Sequence, residues 1–335
     1  MNIDITVFCL TYNHAAYIRD ALESFLMQKT SYTYNVFVYD DASTDGTSDI
    51  LREYKKKYPE IFDIYISPCN IYNSPEREKI MDKLYKEHIV GRYVAWCEGD
   101  DYWTDSNKLQ KQIEFMEQNP KCSMTAHGAY WLDCQTGVLK DYNPYNENRY
   151  LAGDEIILQP QGNLPTASLV IRKDAFIRDI EFPTCDVGDI PMQLYALCKG
   201  KIYYFNCQMS LYRYMHAGSW TKEIAGAFEN NNIHAYHMID FMEKYDKYSK
   251  GMYHEYIRKR CSDYLYSRIN EYKFMSSDEY CDRMQKLKKR LACREQRFIE
   301  NQCKVFKLFK ENYILSSIER KKIMEFRYVV IMGTG

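Results

Sequence analysis

The 335-residue sequence lacks any apolar run long enough to cross a bilayer. A spanning helix takes about 20 consecutive apolar residues, so no transmembrane helix is expected. A secretory signal is not expected either, because a strand-like run already begins at Ile3 and leaves no space for a charged and then an apolar leader segment. The sequence therefore favours a cytoplasmic protein, either free or peripheral at the inner face of the membrane.

Paired cysteines and a charge excess are absent too. The twelve cysteines are scattered without a C-x-x-C pair, so neither zinc-ligand spacing nor a disulfide framework is indicated, and we expect reduced thiols. The net charge of −1 argues against a nucleic-acid-binding protein that relies on a basic surface. The length is sufficient for two domains.

The dinucleotide-binding fingerprint G-x-G-x-x-G does not follow the first predicted strand, which disfavours a dehydrogenase. Strand-like runs and helical periodicity nevertheless alternate along the first 100 residues. The predicted strands cover residues 3–10, 34–39, 62–67 and 92–97. The predicted helices cover about 17–26, 47–58 and 80–88, the first of them with Asn13 as N-cap. This alternation predicts an α/β fold with a Rossmann-like, mainly parallel sheet flanked by helices.

The second hundred residues continue the α/β pattern with longer connections. We expect a helix over about 105–118 and another over 189–199, and strands over 122–132, 166–172 and 201–205. The stretch between about 135 and 165 is rich in Pro, Gly and Asn and is predicted to be a loop.

Beyond about residue 222, Gly and Pro nearly vanish and helical patterns dominate. We therefore predict an α/β domain over 1–220 and a helical region over 221–325 that contacts an acceptor, a second copy or a membrane surface. The final segment, 326–335, is an apolar strand that runs into Gly-x-Gly. It is typical of the start of a further, truncated α/β domain, or else of a capping edge strand.

A predicted helix near 280–298 begins with a capping box at Ser276 and Glu279. It carries an apolar stripe and a basic face. The pattern favours a solvated helix packed on its neighbours, and an alternative is contact with anionic lipid. A homo-oligomer is a further alternative for this region.

Polar residues follow directly after the predicted strands. They are Thr11, with Tyr12 and Asn13 behind it, then Asp41, Asn70 and Asp100. Open α/β sheets bind ligands at the carboxyl ends of their strands, so these side chains are predicted to line one crevice.

The run Glu98-Gly99-Asp100-Asp101 places three carboxylates at the end of a buried strand. Carboxylates this close repel one another unless a cation lies among them. Mg²⁺ and Mn²⁺ bind carboxylate oxygens together with substrate phosphates, so a metal–diphosphate is the predicted ligand. The alternative is an acidic turn that caps the next helix. In the earlier loop, Asp41 is predicted to bind ligand and Ser43–Thr47 to form the turn.

Three motifs together resemble the family-2 inverting glycosyltransferases of the GT-A fold over about residues 1–220. They are Thr11-Tyr12-Asn13, the run from Asp40-Asp41 to Thr47, and Glu98-Gly99-Asp100-Asp101-Tyr102-Trp103 with Lys108-Leu109. The resemblance implies a nucleotide-diphosphate sugar donor, usually UDP-linked, and Mn²⁺ or Mg²⁺. It assigns base recognition to Asp41 and the metal to Asp100, with Glu98 or Asp101 beside it. Glu98 stands where the family usually has Asp.

The same resemblance points to a catalytic base and a metal ligand in the second half. The family carries an acidic pair before a helix, and here Gly188 replaces the first acid, which leaves Asp189 as the candidate base. Asp189 is also a good helix cap. The segment from Tyr212 to Trp220 resembles the family's Tyr-Arg-x-His loop, so His216 is a candidate for the metal or diphosphate and Arg213 for phosphate.

The predicted function is inverting transfer of a sugar to a hydroxyl of a glycan, a lipid-linked glycan or a protein-linked glycan, and the resemblance implies a role in polysaccharide biosynthesis. An alternative is a non-catalytic sugar-nucleotide or glycan-binding module, in which Glu98 and Gly188 mark a decayed site. A nucleotidyltransferase is disfavoured because no Gly-rich phosphate loop follows the first strand.

Overall fold

The computed structural model describes residues 3–159, 164–185, 188–216, 218–219, 228–288, 300, 302–307 and 309–310. These residues form two compact units. The first holds the described residues up to Phe182 and from 188 to 219, and the second holds 183–185 and those from 228 onward. Residues 326–335, where a further domain was predicted to begin, lie outside the described residues.

The first unit is a sheet with helices on both faces. Its strands are β1 (Ile5–Thr11), β2 (Tyr34–Asp40), β3 (Phe62–Ile66), β4 (Tyr93–Trp96), β5 (Tyr102–Trp103), β6 (Cys122–Asp133), β7 (Leu139–Tyr142), β8 (Arg149–Leu151), β9 (Val170–Arg172) and β10 (Lys201–Tyr214). Its helices are α1 (Ile18–Leu26), α2 (Thr47–Lys57), α3 (Arg77–His88), α4 (Lys108–Gln118), α5 (Gly153–Leu158), α6 (Lys173–Phe176) and α7 (Asp189–Lys199). The alternation of strands and helices predicted from the sequence is confirmed.

The strand order is β3-β2-β1-β4-β9-β6-β10-β5, with β7 paired to β6 and β8 paired to β10. The first four strands in this order are parallel, as is the pair β6 and β10. Strand β9 runs antiparallel to both β4 and β6, so the sheet is parallel on the N-terminal side and mixed beyond β4. The parallel half therefore places the ends of β1, β2 and β4 at one edge.

Strand β1 is the centre of the parallel half, and apolar side chains cover both of its faces. Val7 and Cys9 pack against helices α1 and α4 in the main core, whereas Phe8 lies on the other face among aromatic rings that include Trp96. A strand buried on both faces reads as a continuous apolar run, which explains the sequence of β1. Replacing such a buried Phe by Ala costs about 3–5 kcal/mol.

Three predicted loop or strand segments differ from the structure in this unit. The segment predicted to be a loop contains β7, β8 and α5, because pairing with β6 and β10 stabilises strands whose composition alone favours turns. Strand β10 continues to Tyr214 instead of ending near 205. Of the strand predicted over 166–172, only Val170–Arg172 pairs, and Thr166–Ser168 forms a short 3₁₀ turn.

The second unit is helical, as predicted. Its helices are α8 (Phe228–Tyr248), α9 (His254–Glu271) and α10 (Ser277–Lys288), and residues 302–307 are also helical. Oγ of Ser276 accepts the backbone N–H of Glu279 over 3.1 Å, so the predicted cap begins α10. The Tyr280 ring stacks on Phe306 at 3.9 Å and anchors the apolar stripe of this helix. Residues 289–299 of the predicted basic helix lie outside the described residues, and no described helix has both the length and the apolar character that a membrane span needs.

Candidate active site

The carboxyl ends of β1, β2 and β4 are joined by backbone hydrogen bonds that continue past the sheet. The N–H of Asp41 donates to the carbonyl of Thr11 over 3.0 Å, and the N–H of Gly99 donates to the carbonyl of Leu10 over 2.9 Å. A Cβ on Gly99 would lie 2.7 Å from Oγ1 of Thr11 and 2.8 Å from Cδ1 of Ile18. Glycine is therefore required for the acidic loop to approach β1 this closely.

Glu98, Asp100 and Asp101 each present one carboxylate oxygen, and these three oxygens lie within 4.8 Å of one another. Burial raises the pKa of Glu98 to about 8, and the charges of Asp100 and Asp189 add to the effect. Burial also raises the pKa of Asp101 well above its usual range. The grouping thus disfavours three simultaneous negative charges unless a cation compensates them.

Asp100 differs from its two neighbours. Burial would raise its pKa, but the charges and hydrogen bond of His14 and His216 outweigh burial and hold the pKa below its usual value. Its Oδ1 atom is buried and has no hydrogen-bond partner among the described residues. A buried anionic oxygen without a partner fits a divalent cation, which carboxylates ligate readily. The residues present therefore suit the metal that the sequence implied.

His216, the candidate ligand for the metal or diphosphate, lies beside Asp100. Its Nε2 atom is 2.8 Å from Oδ2 of Asp100, and its side chain is almost fully buried. Met215 takes a left-handed backbone conformation with φ +60°, which turns the chain at the end of β10 and brings His216 back over the acidic loop. The ring of Tyr17 packs edge-on at 4.9 Å and fixes the imidazole plane.

Arg213 organises the acidic loop from within the protein. Its backbone N–H donates to Oδ1 of Asp101 over 2.9 Å, and its guanidinium donates to the backbone carbonyl of Asp100 over 2.5 Å and to the carboxylate of Asp20. The guanidinium also lies between the rings of Tyr17 and Tyr102, at 5.0 and 4.9 Å. Arg213 thus contacts other residues of the protein, and these contacts indicate that it positions the acidic loop.

Hydrogen bonds join the turn after β1 to the loop after β2. Three consecutive backbone N–H groups donate to side chains of that loop: Asn13 to Oγ of Ser43 at 2.8 Å, His14 to Oγ1 of Thr47 at 2.9 Å and Ala15 to Oδ2 of Asp45 at 2.9 Å. The pKa of Asp45 is lowered because its hydrogen bonds from Thr47 and from the N–H of Ala15 outweigh its burial. Residues 43–47 therefore act structurally, as a support for residues 13–15.

The prediction that Asn13 caps helix α1 is wrong. Asn13 has φ +55°, and its Oδ1 atom accepts the N–H of Thr44 over 2.8 Å. The helix begins at Ile18, after a turn in which the carbonyl of His14 accepts the N–H groups of Tyr17 and Ile18. Asparagine tolerates the left-handed region better than most residues, which explains its presence at this tight turn.

Asp41 and Asn70 lie together at the end of β2. Oδ1 of Asp41 accepts the hydroxyl of Tyr39 over 2.9 Å and the N–H of Ile71 over 2.8 Å, and the side-chain amide of Asn70 donates to the Asp41 carbonyl over 3.2 Å. Asn70 thus holds the loop around Asp41. The ring of Tyr12 is 45% exposed, which leaves a flat aromatic surface for a ligand at this edge of the sheet.

Asp189 is the first residue of α7, and burial raises its pKa. Its negative charge is one of the causes that raise the pKa of Glu98, so the two carboxyl groups share one environment. A Cβ on the preceding Gly188 would lie 3.1 Å from Cη2 of Trp96. The indole of Trp96 thus occupies the space next to the position where the resembling family has an additional acid.

The structure also brings in a residue that the sequence reasoning missed. Nε2 of His14 lies 3.7 Å from Oδ2 of Asp100, and its ring lies 6.0 Å from the ring of His216. In the sequence, the one feature that could have indicated His14 was its position directly after the Thr11-Tyr12-Asn13 motif at a strand end. Its proximity to Asp100 depends on the left-handed turn at Asn13, which the sequence reasoning had taken as a helix cap.

Comparison with known proteins gives consistent results. Residues 6–150 match the model of the family described as Glycosyl transferase family 2. An uncharacterised protein of Mycobacterium tuberculosis is 29% identical over 216 residues, which are 64% of this chain and 60% of that protein. The chain therefore spans about 60% of the length of that curated relative.

Two further proteins of known activity or structure are similar. The Escherichia coli UDP-Glc:alpha-D-GlcNAc-diphosphoundecaprenol beta-1,3-glucosyltransferase WfaP is 29% identical over 219 residues, 64% of this chain and 78% of that protein. The crystal structure of S. aureus TarS 1-349 in complex with UDP-GlcNAc superposes with a TM-score of 0.54 at 15% identity, over 93% of this chain and 91% of that one. The latter similarity concerns the fold.

Proposed function

Because residues 6–150 belong to glycosyltransferase family 2 and the chain has the expected GT-A fold followed by a helical region, we propose that this glycosyltransferase is inverting and cation-dependent and uses a UDP-linked sugar. The acceptor is a hydroxyl group of a glycan. The observation that carries the proposal is the buried Oδ1 of Asp100, which has no hydrogen-bond partner among the described residues and lies within a group of three carboxylates at the strand ends. That arrangement suits a cation–diphosphate.

Each part of the donor has a matching group on this chain. Asp41 accepts the N3–H of the uracil base with its carboxylate, and Tyr12 contributes an exposed ring beside it. Thr11, Asn13 and Gly99 form the narrow edge along which the nucleotide lies. Mn²⁺ or Mg²⁺, when bound, supplies charge that stabilises the leaving nucleoside diphosphate. Asp100 and His216 are the proposed ligands, and Glu98 and Asp101 adjoin them.

Asp189 is the proposed general base. Inverting transfer needs a group that takes the proton of the acceptor hydroxyl as its oxygen attacks the anomeric carbon from the face opposite the leaving group. Burial raises the pKa of Asp189, and a carboxylate with a raised pKa is a stronger base. Its position at the first turn of α7 fixes the carboxylate against the helix backbone, so little reorganisation is needed for proton transfer.

The identity of donor and acceptor is proposed from the relatives. WfaP is named for a UDP-Glc donor and a diphosphoundecaprenol-linked acceptor. We infer a UDP-hexose donor and a lipid-linked glycan acceptor for this chain, in polysaccharide biosynthesis at the cytoplasmic face of the membrane. The membrane contact proposed for the basic segment near 280–298, and a homo-oligomer formed by the helical region, belong to the same hypothesis.

The test is a donor screen by nucleotide release. The purified protein is incubated with a panel of UDP-sugars, a lipid-linked glycan acceptor and Mn²⁺, with and without EDTA. We expect one donor to release UDP in the presence of Mn²⁺ and release to stop with EDTA. Asp100→Asn should weaken donor binding, Asp189→Asn should preserve binding and abolish transfer, and the exposed Asp49→Asn should change neither.

The alternative, a non-catalytic module, predicts a different outcome of the same screen. It requires UDP-sugar binding without nucleotide release by any donor and acceptor, and equal behaviour of wild type and Asp189→Asn. Release of UDP that is indifferent to EDTA and to Asp100→Asn would instead refute the cation-dependent mechanism while leaving the transferase assignment in place.

A further inference from the structure

Four fully buried side chains of the first unit each carry a polar atom that is left unpaired. They are Lys108 and Gln112 of α4, His127 of β6 and Ser210 of β10, and each has an exposed fraction of 0%. The atoms are Nζ of Lys108, Oε1 of Gln112, Nε2 of His127 and Oγ of Ser210, and none has a hydrogen-bond partner in the part of the chain that the structure describes. Buried polar atoms are nearly always paired, so these four require an explanation.

Helix α4 and strand β6 bring three of these side chains together. The side-chain amide of Gln112 donates to Oγ1 of Thr125 over 3.1 Å, which holds the helix against the strand. His127 projects from the same face of β6, about 7 Å farther along the strand. Lys108 precedes Gln112 by one helical turn, about 6 Å, and α4 and β6 run in opposite directions because the chain reverses over residues 119–121. Lys108 therefore lies over His127, and burial, together with the charge of Lys108, lowers the pKa of His127 well below its usual range.

Trp103 connects Ser210 to the same layer. Ser210 is directly opposite Trp103 in the antiparallel pair of β5 and β10, and opposite residues project to the same face of a sheet. That face is the one that carries α4, because Nζ of Lys108 lies 4.4 Å from the centre of the Trp103 ring. The four unpaired atoms thus belong to one interior layer between α4 and the strands β5, β6 and β10.

Two of the four unpaired atoms are hydrogen-bond acceptors. Nδ1 of His127 lies 2.6 Å from the carbonyl oxygen of Gly128, which can only accept, so Nδ1 carries the proton and Nε2 is an acceptor. Nε2 of Gln112 donates to the carbonyl of Ser168 over 2.9 Å, so the unpaired end of that amide is its oxygen. Each of these two side chains is thus held by one bond and presents an acceptor to the layer.

The other two atoms determine which partner fits. The amine of Lys108 donates whether it is charged or neutral, and the hydroxyl of Ser210 both donates and accepts. The layer therefore needs a partner that donates to its two acceptors and accepts from its amine. A simple anion has no proton to donate, and a metal ion cannot accept a hydrogen bond. Water does both, and a buried water typically makes about three hydrogen bonds to otherwise unsatisfied polar groups.

We propose that these four residues form an internal water-binding site that holds roughly one or two ordered water molecules, which bridge α4 to β6 and β10. Strand β5 follows directly after Asp101, so the site lies on the inner side of the strand into which the acidic loop leads. The inference does not depend on the chemistry proposed for the donor. It gives Lys108, a residue of the motif that carries the family resemblance, a role in the interior of the protein.

The first test is a crystal structure of the full chain at a resolution that shows ordered water. We expect a water peak within about 3.2 Å of Nζ of Lys108 and of at least one acceptor, Oε1 of Gln112 or Nε2 of His127. A direct hydrogen bond from Nζ to Oε1 of Gln112, with no solvent peak in the layer, would overturn the inference. A peak that gains anomalous signal when the crystals are grown with bromide would also overturn it, because that result identifies an anion.

The second test counts the water in solution by ¹⁷O magnetic relaxation dispersion, which detects water that exchanges slowly with the solvent. The double variant Lys108→Met and Gln112→Leu replaces a donor and an acceptor by apolar groups, and apolar interiors stay dry. We expect the dispersion amplitude to fall by the equivalent of roughly one or two water molecules relative to the wild type. Ser123→Ala is the matched control and should leave the amplitude unchanged, because the hydroxyl that it removes from β6 already donates to the carbonyls of Ala196 and Lys201.

An equal amplitude in the double variant and the wild type would contradict the inference. If the double variant does not fold, the crystal structure of the wild type decides alone. Neither measurement depends on UDP release, so a failure of this inference is distinguishable from a failure of the proposed function.

Discussion

The backbone N–H of Arg213 donates a hydrogen bond to Oδ1 of Asp101 over 2.9 Å, although the two residues are 112 positions apart. Through this contact the end of β10 supports the acidic loop after β4. The guanidinium of the same residue supports the backbone of Asp100. The carboxylates that the sequence singles out are thus positioned by a strand whose full length the sequence did not reveal.

We expect Arg213→Ala to weaken UDP-sugar binding and to lower the free energy of unfolding by about 1–3 kcal/mol, because the variant removes the guanidinium that donates to the backbone carbonyl of Asp100, whereas the backbone N–H that donates to Asp101 remains. Urea denaturation and calorimetric titration with UDP measure the two effects. Asp20→Asn removes only the ion pair to a carboxylate whose side chain is 57% exposed, and should cost less than about 1 kcal/mol. Equal losses in both variants would show that the ion pair, and not the loop contact, matters.

Asp189→Asn should lower kcat about 10²–10⁴-fold and leave UDP affinity unchanged, because the change removes a proton acceptor without removing volume. Since burial raises the pKa of Asp189, the base is lost at a higher pH than an exposed Asp would be. Activity in the wild type should therefore fall on the acid side as pH decreases through that raised pKa. Steady-state kinetics over a pH series measure both effects, and undiminished turnover by Asp189→Asn would exclude it as the base.

Asp41→Ala should weaken UDP binding at least about tenfold and reduce discrimination between UDP and CDP, since the variant removes a carboxylate that accepts the N3–H of uracil, a donor that cytosine lacks. Tyr39→Phe is the matched control, because it removes only the hydroxyl that donates to Oδ1 of Asp41. That variant should lose about 1 kcal/mol of stability and keep its nucleotide preference. If calorimetry gives equal nucleotide affinities for Asp41→Ala and Tyr39→Phe, Asp41 does not recognise the base.

Gly188→Ala should destabilise the protein, because its Cβ would lie 3.1 Å from Cη2 of Trp96. Trp96→Phe removes that part of the indole. The double variant should therefore be more stable than the sum of the two single effects predicts, by about 0.5–1 kcal/mol. Thermal unfolding of the four proteins measures this coupling, and strict additivity would mean that Trp96 does not restrict position 188.

Lys108 supplies a prediction about pH and stability. Its side chain is fully buried against the Trp103 ring at 4.4 Å, and Nζ has no hydrogen-bond partner among the residues described. Burial lowers its pKa from 10.5 to about 7, although charges on Cys97, Asp105 and Cys207 act in the opposite direction. The unfolded chain thus binds a proton between these values that the folded chain does not bind, so stability falls as pH decreases over that interval.

The free energy of unfolding of the wild type, relative to that of Lys108→Met, should rise by up to about 1.4 kcal/mol per pH unit between about pH 7 and 10. Guanidinium denaturation of both proteins over this range gives the difference directly, and titrations elsewhere in the protein cancel. A difference that does not change with pH would mean that Lys108 stays protonated in the folded state.

Much of the fold could be predicted from the sequence because its signals are local. Buried parallel strands carry continuous apolar runs, α1 repeats its buried residues at helical spacing, and α7 has the predicted bounds of Asp189–Lys199. The helical C-terminal region was also predicted from a local signal, the near absence of Gly and Pro. The strand ends were predicted for the same reason, and Asp41 and Asp100 do lie at them.

What could not be predicted depends on distant pairing. Strands β7 and β8 form because they pair with β6 and β10, respectively. The sequence of a short segment does not show whether a distant strand is available to pair with it. Strand β10 extends because its last residues pair with β6 over Leu211 to Tyr214. His14 was missed for a related reason: its direction depends on contacts between segments about 30 residues apart, such as that of Asn13 with Ser43.

The three hydrogen bonds between residues 13–15 and the side chains of Ser43, Asp45 and Thr47 have a consequence for engineering. A graft that replaces residues 43–47 by a counterpart without these side chains would keep the backbone donors of residues 13–15 and lose their acceptors. The two segments form one structural unit and should be exchanged together, although another 27 residues separate them in the chain. Chimeras that exchange both together should retain the shape of the nucleotide edge, and libraries that vary positions 43, 45 and 47 will also move the backbone that carries His14.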